Sequence, residues 1–169
     1  MARIENHKYS IEQAFRECFY IVPDYQREYV WTDKEINLLI DDINEQIETS
    51  NPREYFIGTV LVSPTEKPNH YEVIDGQQRL TTFFLLLCAL KNLFEDEKRR
   101  ALFGKLVSES YTLNDGRMVT SLKLEPRYDN ASEFMSKLVE VGSDPAKVHE
   151  AIRSANLRSY GSIENLLNA

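Results

Sequence analysis

The sequence predicts an α+β fold in which a small mixed sheet with hairpins is packed by helices. Apolar residues between positions 36 and 47 follow the helical period, which predicts an amphipathic helix. The run 55–62 is aromatic and β-branched, and a turn sequence separates it from a second predicted strand at 71–75, so we expect a β-hairpin. Segment 80–94 is apolar on almost every side, which predicts a helix buried against this sheet.

The composition is that of a soluble globular protein. The chain has 169 residues, of which 42% are hydrophobic and 28% charged, and this length is sufficient to bury a core. The longest strongly apolar run, residues 83–90, is far shorter than the ~20 residues that span a bilayer. No signal-peptide core follows Met1. We therefore expect a cytoplasmic protein without a membrane partner.

The net charge of −7 argues against a DNA-binding module that acts alone, because such modules rely on basic side chains to neutralise phosphates.

Cys18 and Cys88 are far apart and lie in apolar sequence, so we expect reduced, buried thiols. The histidines at 7, 70 and 149 cluster neither with each other nor with the cysteines. This spacing argues against a structural zinc site.

The first elements are predicted from capping patterns. Ser10 and Gln13 form a capping-box pair, so we expect a short helix after Ser10. Residues 19–22 are predicted to form a strand that Pro23 ends. A second capping box at 32–35 opens the amphipathic helix, whose opposite face is acidic and predicted to be solvated.

A charged linker and a second hairpin are predicted in the next part of the chain. The charge run 95–100 is interpreted as an exposed helical linker. The turn sequence Asn114-Asp115-Gly116 lies between the runs 106–113 and 117–124, which predicts the hairpin.

We divide the chain into a domain of residues 1–128 and a helical C-terminal extension of residues 129–169. The extension contains several helix-start signals, including a proline in a first turn. These predicted starts are Asp129 or Asn130, Ser143 and Ser162. Because the last predicted helix has only begun where the chain stops, we expect this chain to be the N-terminal piece of a longer protein.

The segment Asp75-Gly76-Gln77-Gln78-Arg79 lies at the predicted strand-to-helix junction. Free N–H groups and the positive end of the helix dipole meet at such a junction, so it suits an oxyanion. Gly76 allows close approach to the backbone, and Arg79 in the first helical turn offers a bidentate fork for phosphate. Gln77 and Gln78 add donors and acceptors for a ribose or a base edge.

Asp75, at the end of the predicted strand, is the candidate to hold Mg²⁺ or to orient a water molecule. A structural interpretation stays open beside this one. Asp-Gly is a common turn, and Asp75 and Arg79 have the spacing of a pair across a helix start.

A polar and aromatic loop follows the first strand, over residues 23–31. Within it, Arg27 offers a second phosphate fork. The alternative interpretation is structural: Tyr25, Tyr29 and Trp31 would pack beneath the loop, and Arg27 would pair with an acid. For Trp31 the packing role is the favoured interpretation.

Several motifs occur in a recognisable order. They are Ile-x-Pro-x-Tyr-Gln-Arg-x-Tyr-x-Trp (21–31), Asp-Asp-Ile (41–43), Tyr-Phe-Ile-Gly (55–58) and Val-Ile-Asp-Gly-Gln-Gln-Arg-Leu-Thr-Thr (73–82). Together they resemble the N-terminal domain of the GmrSD-type, DGQQR-motif restriction proteins over roughly residues 10 to 94. The tail 122–134 resembles that domain more weakly. More distantly, Pro-x-Tyr-Gln-Arg and Gly-x-x-Arg resemble the two phosphate-binding boxes of the ParB and sulfiredoxin-like fold.

This resemblance implies a ParB/sulfiredoxin-like domain that binds and hydrolyses a nucleoside triphosphate, with Mg²⁺, in bacterial anti-phage defence. In that family the domain regulates or powers a nuclease that cuts modified foreign DNA. Carried over by motif, Asp75 and Arg79 would be catalytic, with Asp75 as the metal ligand. The implied nucleotide-binding residues are Gln26, Arg27, Gly76, Gln77, Gln78 and Arg79.

The nuclease itself is not found in this sequence. There is no His-Asn-His-type motif, and the acidic fragment at 96–98 that could suggest a PD-(D/E)xK nuclease falls in the helical charge run. No Gly-x-x-x-x-Gly-Lys-Ser/Thr occurs either, so NTP chemistry here would be of the non-P-loop kind. We expect the nuclease domain elsewhere, in the same or a partner chain, with DNA reached only through the full-length protein. The alternatives are a non-catalytic module that senses a nucleotide or modified DNA, and an inactive remnant.

Overall fold

The computed structural model describes residues 4–49, 54–128, 131–140 and 150, and it confirms the predicted α+β fold. The helices of this part are α1 (Ile11–Glu17), α2 (Asp33–Glu48), α3 (Gln77–Leu93), α4 (Glu97–Val107) and α5 (Ala131–Glu140). The strands are β1 (Phe19–Val22), β2 (Leu61–Pro64), β3 (His70–Asp75), β4 (Ser108–Thr112), β5 (Met118–Leu122) and β6 (Leu124–Pro126).

The main sheet has four strands in the order β2-β3-β1-β6. β1 pairs in parallel with both β3 and β6, and β2 pairs antiparallel with β3 as the first predicted hairpin. β4 and β5 form a separate antiparallel pair, which is the second predicted hairpin. Because β3 lies between β1 and β2, the segment after β1 and the segment before β2 approach the end of β3 from its two sides.

Two boundaries differ from the prediction. The strand predicted over 55–62 begins only at Leu61, because Leu61 pairs with Asp75, the last residue of β3, and earlier residues have no strand beside them. Leu106 and Val107, predicted in the second hairpin, are instead the buried end of α4. A short apolar run fits a buried helix end as well as a strand, so periodicity did not separate the two.

The core lies between the main sheet and α3, as predicted. α3 is buried along most of its length, and Phe84 and Leu85 are fully buried. β1, β3 and β6 contribute Val22, Val73 and Leu124 to the same hydrophobic cluster. The helices α1, α4 and α5 add Phe15, Leu106, Phe134 and Leu138.

Both predicted capping boxes form. In the first, the Ser10 hydroxyl oxygen accepts from the Gln13 N–H, and the Gln13 side chain accepts from the Ser10 N–H. In the second, the Glu35 carboxylate accepts from both the N–H and the hydroxyl of Thr32. These bonds lower the pKa of Glu35. The predicted apolar face of α2 is buried only in its first half, since Ile47 is exposed.

Two more predicted helices are present. Asp96 caps α4, so residues 96–98 form a helix start and not a nuclease strand. α5 corresponds to the first predicted helix of the C-terminal extension. Its predicted cap at 129 or 130, and the helices predicted from Ser143 and Ser162, lie outside the described residues. In the described part of the chain, no helix is long and apolar enough to cross a bilayer.

The face of the main sheet opposite the core carries polar side chains and a buried lysine. The Lys123 ammonium donates to the main-chain carbonyl of Arg16 and to the Glu109 carboxylate, and it lies 3.8 Å from the ring centroid of Phe19. These contacts join α1, β1 and β4. A groove of about 420 Å³ lies on this face, and none of residues 75–79 lines it.

Replacing Phe84 with alanine tests the core. Because this ring is fully buried, Phe84→Ala is expected to lower the free energy of unfolding by about 3–5 kcal/mol, through lost burial and a residual cavity. Phe56→Ala is the control: this ring is 78% exposed, so a change below about 0.5 kcal/mol is expected. Urea unfolding followed by circular dichroism measures both. Equal effects would contradict the placement of α3 in the core.

Candidate functional site

The DGQQR segment, residues 75–79, forms the junction between β3 and α3. Gly76 lies between the two elements with φ +87°, a backbone conformation that favours glycine. A Cβ atom at Gly76 would lie 2.9 Å from the carbonyl oxygen of Thr59 and 3.1 Å from Cα of Val60. Glycine is therefore required here twice, by the turn and by the close approach of residues 59 and 60.

The N-terminus of α3 is suited to an anion. The first N–H groups of a helix have no acceptor within the helix, and the helix dipole makes this end positive. α1, α2, α4 and α5 each carry an acidic residue in the first turn, whereas α3 has none, and its cap Gly76 has no side chain to accept a hydrogen bond. A phosphate or another oxyanion could take that place.

Gln78 is buried and binds the loop that follows β1. Its side-chain N–H donates to the carbonyl of Glu28 at 2.9 Å, and its side-chain oxygen accepts from the N–H of Val30 at 2.8 Å. The Gln78 amide thus forms hydrogen bonds to the residues on both sides of Tyr29. In a parallel sheet, a strand residue forms the same pair of main-chain bonds to the neighbouring strand. The side chain of Gln78 replaces a strand main chain and fixes residues 28–30.

Two further glutamines bind main-chain atoms at the same junction. The buried Gln77 donates to the carbonyl of Arg27 at 3.0 Å, and Gln26 donates to the carbonyl of Ile74 at 3.1 Å. Gln26, Gln77 and Gln78 together are called the glutamine clamp below. The clamp brings the two motif segments of the sequence, 21–31 and 75–79, into one place.

A second hydrogen-bond chain supports the clamp from the core side. The Thr82 hydroxyl donates to the main-chain carbonyl of Gln78 at 2.9 Å, so it accepts from the Tyr29 hydroxyl, also at 2.9 Å. Burial raises the pKa of Tyr29 to about 12, so its hydroxyl keeps its proton at neutral pH. No role was predicted for Thr82 from its residue type, although its position one helical turn after Gln78 was a usable signal.

Arg79 contacts the segment before β2 and does not pair with Asp75. Its Nη1 donates to the carbonyl of Thr59 at 3.2 Å, and no ion pair joins it to Asp75. The structural interpretation of this segment as an Asp–Arg pair is therefore wrong. Since the bond to Thr59 uses one of five N–H donors, the guanidinium can still bind an anion.

Asp75 and Arg27 are both exposed beside this junction. Neither forms an ion pair within the described ranges, so the structural alternative in which Arg27 pairs with an acid is not seen there. The packing interpretation holds for two aromatic residues of the loop: Tyr29 is buried and Trp31 packs against the core. Tyr25 departs from it, because its ring is 70% exposed.

Asp75 is the candidate metal ligand at this junction, and the two cysteines are free thiols. The described residues contain no group of three or more acidic, histidine or cysteine side chains that could hold a metal ion. Mg²⁺ in nucleotide sites is commonly held by one or two carboxylates together with the phosphates, and Asp75 fits that smaller role. Of the two free thiols, Cys88 is buried, as predicted, whereas Cys18 is only half-buried. Burial raises the pKa of Cys88 to about 12, so it provides no thiolate at neutral pH.

These features define an α+β domain in which the uncapped N-terminus of α3 lies beside Arg79 and Arg27, an arrangement suited to an anion. The sequence model of the family described as "GmrSD restriction endonuclease, N-terminal domain" matches residues 7–165, and the chain belongs to this family.

One relative of known sequence extends this comparison. The chain is 35% identical over 78 residues to an uncharacterized protein of Methanocaldococcus jannaschii. This alignment covers 37% of this chain and 13% of that protein. The chain therefore spans a small part of the length of this relative.

Removing the Gln78 amide tests the clamp. Gln78→Ala leaves the carbonyl of Glu28 and the N–H of Val30 without their partner, so we expect the free energy of unfolding to fall by about 2–4 kcal/mol. Asn44→Ala removes an exposed amide from α2 and is expected to have an effect below about 0.5 kcal/mol. Urea unfolding and hydrogen exchange at the Val30 amide report stability and loop protection. Unchanged exchange at Val30 in Gln78→Ala would contradict the clamp.

Proposed function

We propose that this chain is a domain that binds and hydrolyses a nucleoside triphosphate in a bacterial restriction-type defence protein. One observation carries the proposal: the uncapped N-terminus of α3, Arg79 in its first turn and the exposed Arg27 lie at one junction. Three sources of positive charge at one place match the phosphate chain of a nucleotide. The motif resemblance described above adds the choice of a triphosphate.

The junction provides two kinds of phosphate contact. The first-turn N–H groups of α3 can bind oxygens directly, and the missing side chain at Gly76 lets the phosphate come close to the backbone. The two arginines come from different segments: Arg79 contacts the segment before β2, and the main chain of Arg27, in the loop after β1, is bonded to Gln77. Guanidinium groups bind phosphate oxygens in pairs, which orients the ligand as well as attracting it.

Hydrolysis needs an attacking water and stabilisation of the charge that develops on the phosphate. Asp75, exposed at the end of β3, can orient that water or accept its proton. Arg79 and the N–H groups of α3 stabilise the developing charge. In its alternative role, Asp75 would hold a Mg²⁺ ion that binds with the nucleotide, and the ion would supply further neutralisation of the phosphates.

Gln77 and Gln78 have an indirect role in this proposal. Both amides are buried and bonded to the main chain of residues 27–30, so they hold Arg27 in place. Their direct contact with a ribose or base stays a prediction from the sequence. The indirect role explains why two neutral side chains stand between the catalytic candidates Asp75 and Arg79.

In the full-length protein we propose a separate nuclease domain, in the same or a partner chain, that contacts DNA. A non-catalytic nucleotide or modified-DNA sensor is the second candidate. It is favoured because the described residues hold no group of three or more acidic, histidine or cysteine side chains that could bind a metal ion. The two candidates share the binding site and differ in turnover.

Arg27→Ala tests binding with little risk to the fold. The side chain is exposed, so its removal should not lower stability, while the loss of a charged hydrogen bond, roughly 1.5–3 kcal/mol, should weaken NTP binding about 10- to 100-fold. Arg16→Ala is the matched control, because Arg16 lies on α1, before the other end of β1, in an exposed pair with Glu12. Titration calorimetry measures both affinities. Equal affinities would exclude Arg27 from the site.

Asp75→Asn separates binding from hydrolysis. The substitution removes a negative charge beside the phosphates, so binding without Mg²⁺ should be unchanged or tighter. Mg²⁺-dependent phosphate release should fall by about 100-fold or more, the usual contribution of a general base. Phosphate release with each of the four NTPs measures turnover. Binding without release in the parent protein would support the sensor and contradict the hydrolase.

A further inference from the structure

Gly58 lies directly against the guanidinium of Arg79. A Cβ atom placed on Gly58 would be 2.2 Å from Nη1 and 2.7 Å from Cζ of Arg79, distances that real Cβ atoms do not show. The guanidinium therefore occupies the space that any other residue at position 58 would fill with its side chain. The next residue, Thr59, accepts the hydrogen bond from the same Nη1.

The same segment packs against the start of α3. Residues 59 and 60 approach Gly76 so closely that a Cβ there would lie 2.9 Å from the Thr59 oxygen. Gly76 and the Arg79 side chain thus both lie against residues 58–60, and both approach the Thr59 carbonyl oxygen. The close packing of this segment against the start of α3 and against Arg79 is possible because positions 58 and 76 are both glycine.

We propose that Gly58 is a positioning residue of the nucleotide site. By having no side chain, it lets the Arg79 guanidinium lie close to the N-terminus of α3. This inference rests on the proposed function, in which Arg79 binds phosphate, and it adds a residue that acts only through Arg79. The backbone conformation at position 58 also favours glycine, because φ is +103°. This second requirement concerns the fold and not ligand binding.

A double-mutant cycle separates the two reasons. Gly58→Ala should displace the guanidinium and weaken NTP binding about 10- to 100-fold, the cost of losing one charged hydrogen bond. In the Arg79→Ala background there is no guanidinium to displace, so adding Gly58→Ala should change the affinity by less than about twofold. Titration calorimetry gives the four affinities, and circular dichroism checks that each variant is folded.

Gly116→Ala is the matched control for backbone strain. Gly116 has φ +84° in the turn between β4 and β5, and a Cβ atom there would meet nothing within 4 Å. This variant should lose stability and keep parental NTP affinity. If Gly58→Ala does not fold, Gly58→Asn takes its place, because asparagine tolerates positive φ better but still adds a Cβ atom.

Two binding results would overturn the proposal: parental affinity in Gly58→Ala, or an equal loss of affinity in both Arg79 backgrounds. If the parent protein binds no NTP, the proposed function fails, and urea unfolding still tests the contact. Gly58→Ala should then lower the free energy of unfolding more in the parent than in the Arg79→Ala background, because only the parent has a guanidinium in the space of the new Cβ atom. Equal losses in the two backgrounds would overturn the placement of Gly58 against Arg79.

Discussion

The buried amide of Gln78 is the contact on which the arrangement of the junction depends. A carboxamide has a donor and an acceptor at fixed separation, and both are used on the main chain around Tyr29. A carboxylate of the same size would place an acceptor against the carbonyl of Glu28, and an apolar side chain would leave two main-chain groups without partners. Hydrogen-bond chemistry therefore explains the glutamine at this position before any ligand is considered.

Local sequence signals located the junction, while the roles of its side chains came from distant parts of the chain. A glycine between a β-branched strand and an apolar helix predicts a turn from neighbouring residues alone. The partners of Gln77 and Gln78 lie 50 positions earlier, and glutamine is by default expected at the surface. The start of β2 at Leu61 was similarly non-local, because it depends on where β3 ends.

The two arginines at the junction differ in how firmly they are held. Arg79 has its guanidinium against Gly58 and bonded to Thr59, so it loses little conformational freedom when it binds a ligand. Arg27 is held through its carbonyl, which accepts from Gln77, while its side chain is exposed. A fixed charge orients a bound anion, and an exposed charge attracts the anion to the site. Both effects are local, because the net charge of the whole protein is −7.

The two members of the glutamine clamp on α3, Gln77 and Gln78, contact only main-chain atoms of the loop: the carbonyls of Arg27 and Glu28 and the N–H of Val30. Every residue has such a carbonyl, and every residue except proline has such an N–H. Mutation can therefore exchange the exposed side chains of this loop without loosening its attachment to α3. The exposed side chains of the loop can therefore change ligand preference while the main-chain contacts that hold the loop stay the same. This property allows a binding loop to evolve on a constant scaffold.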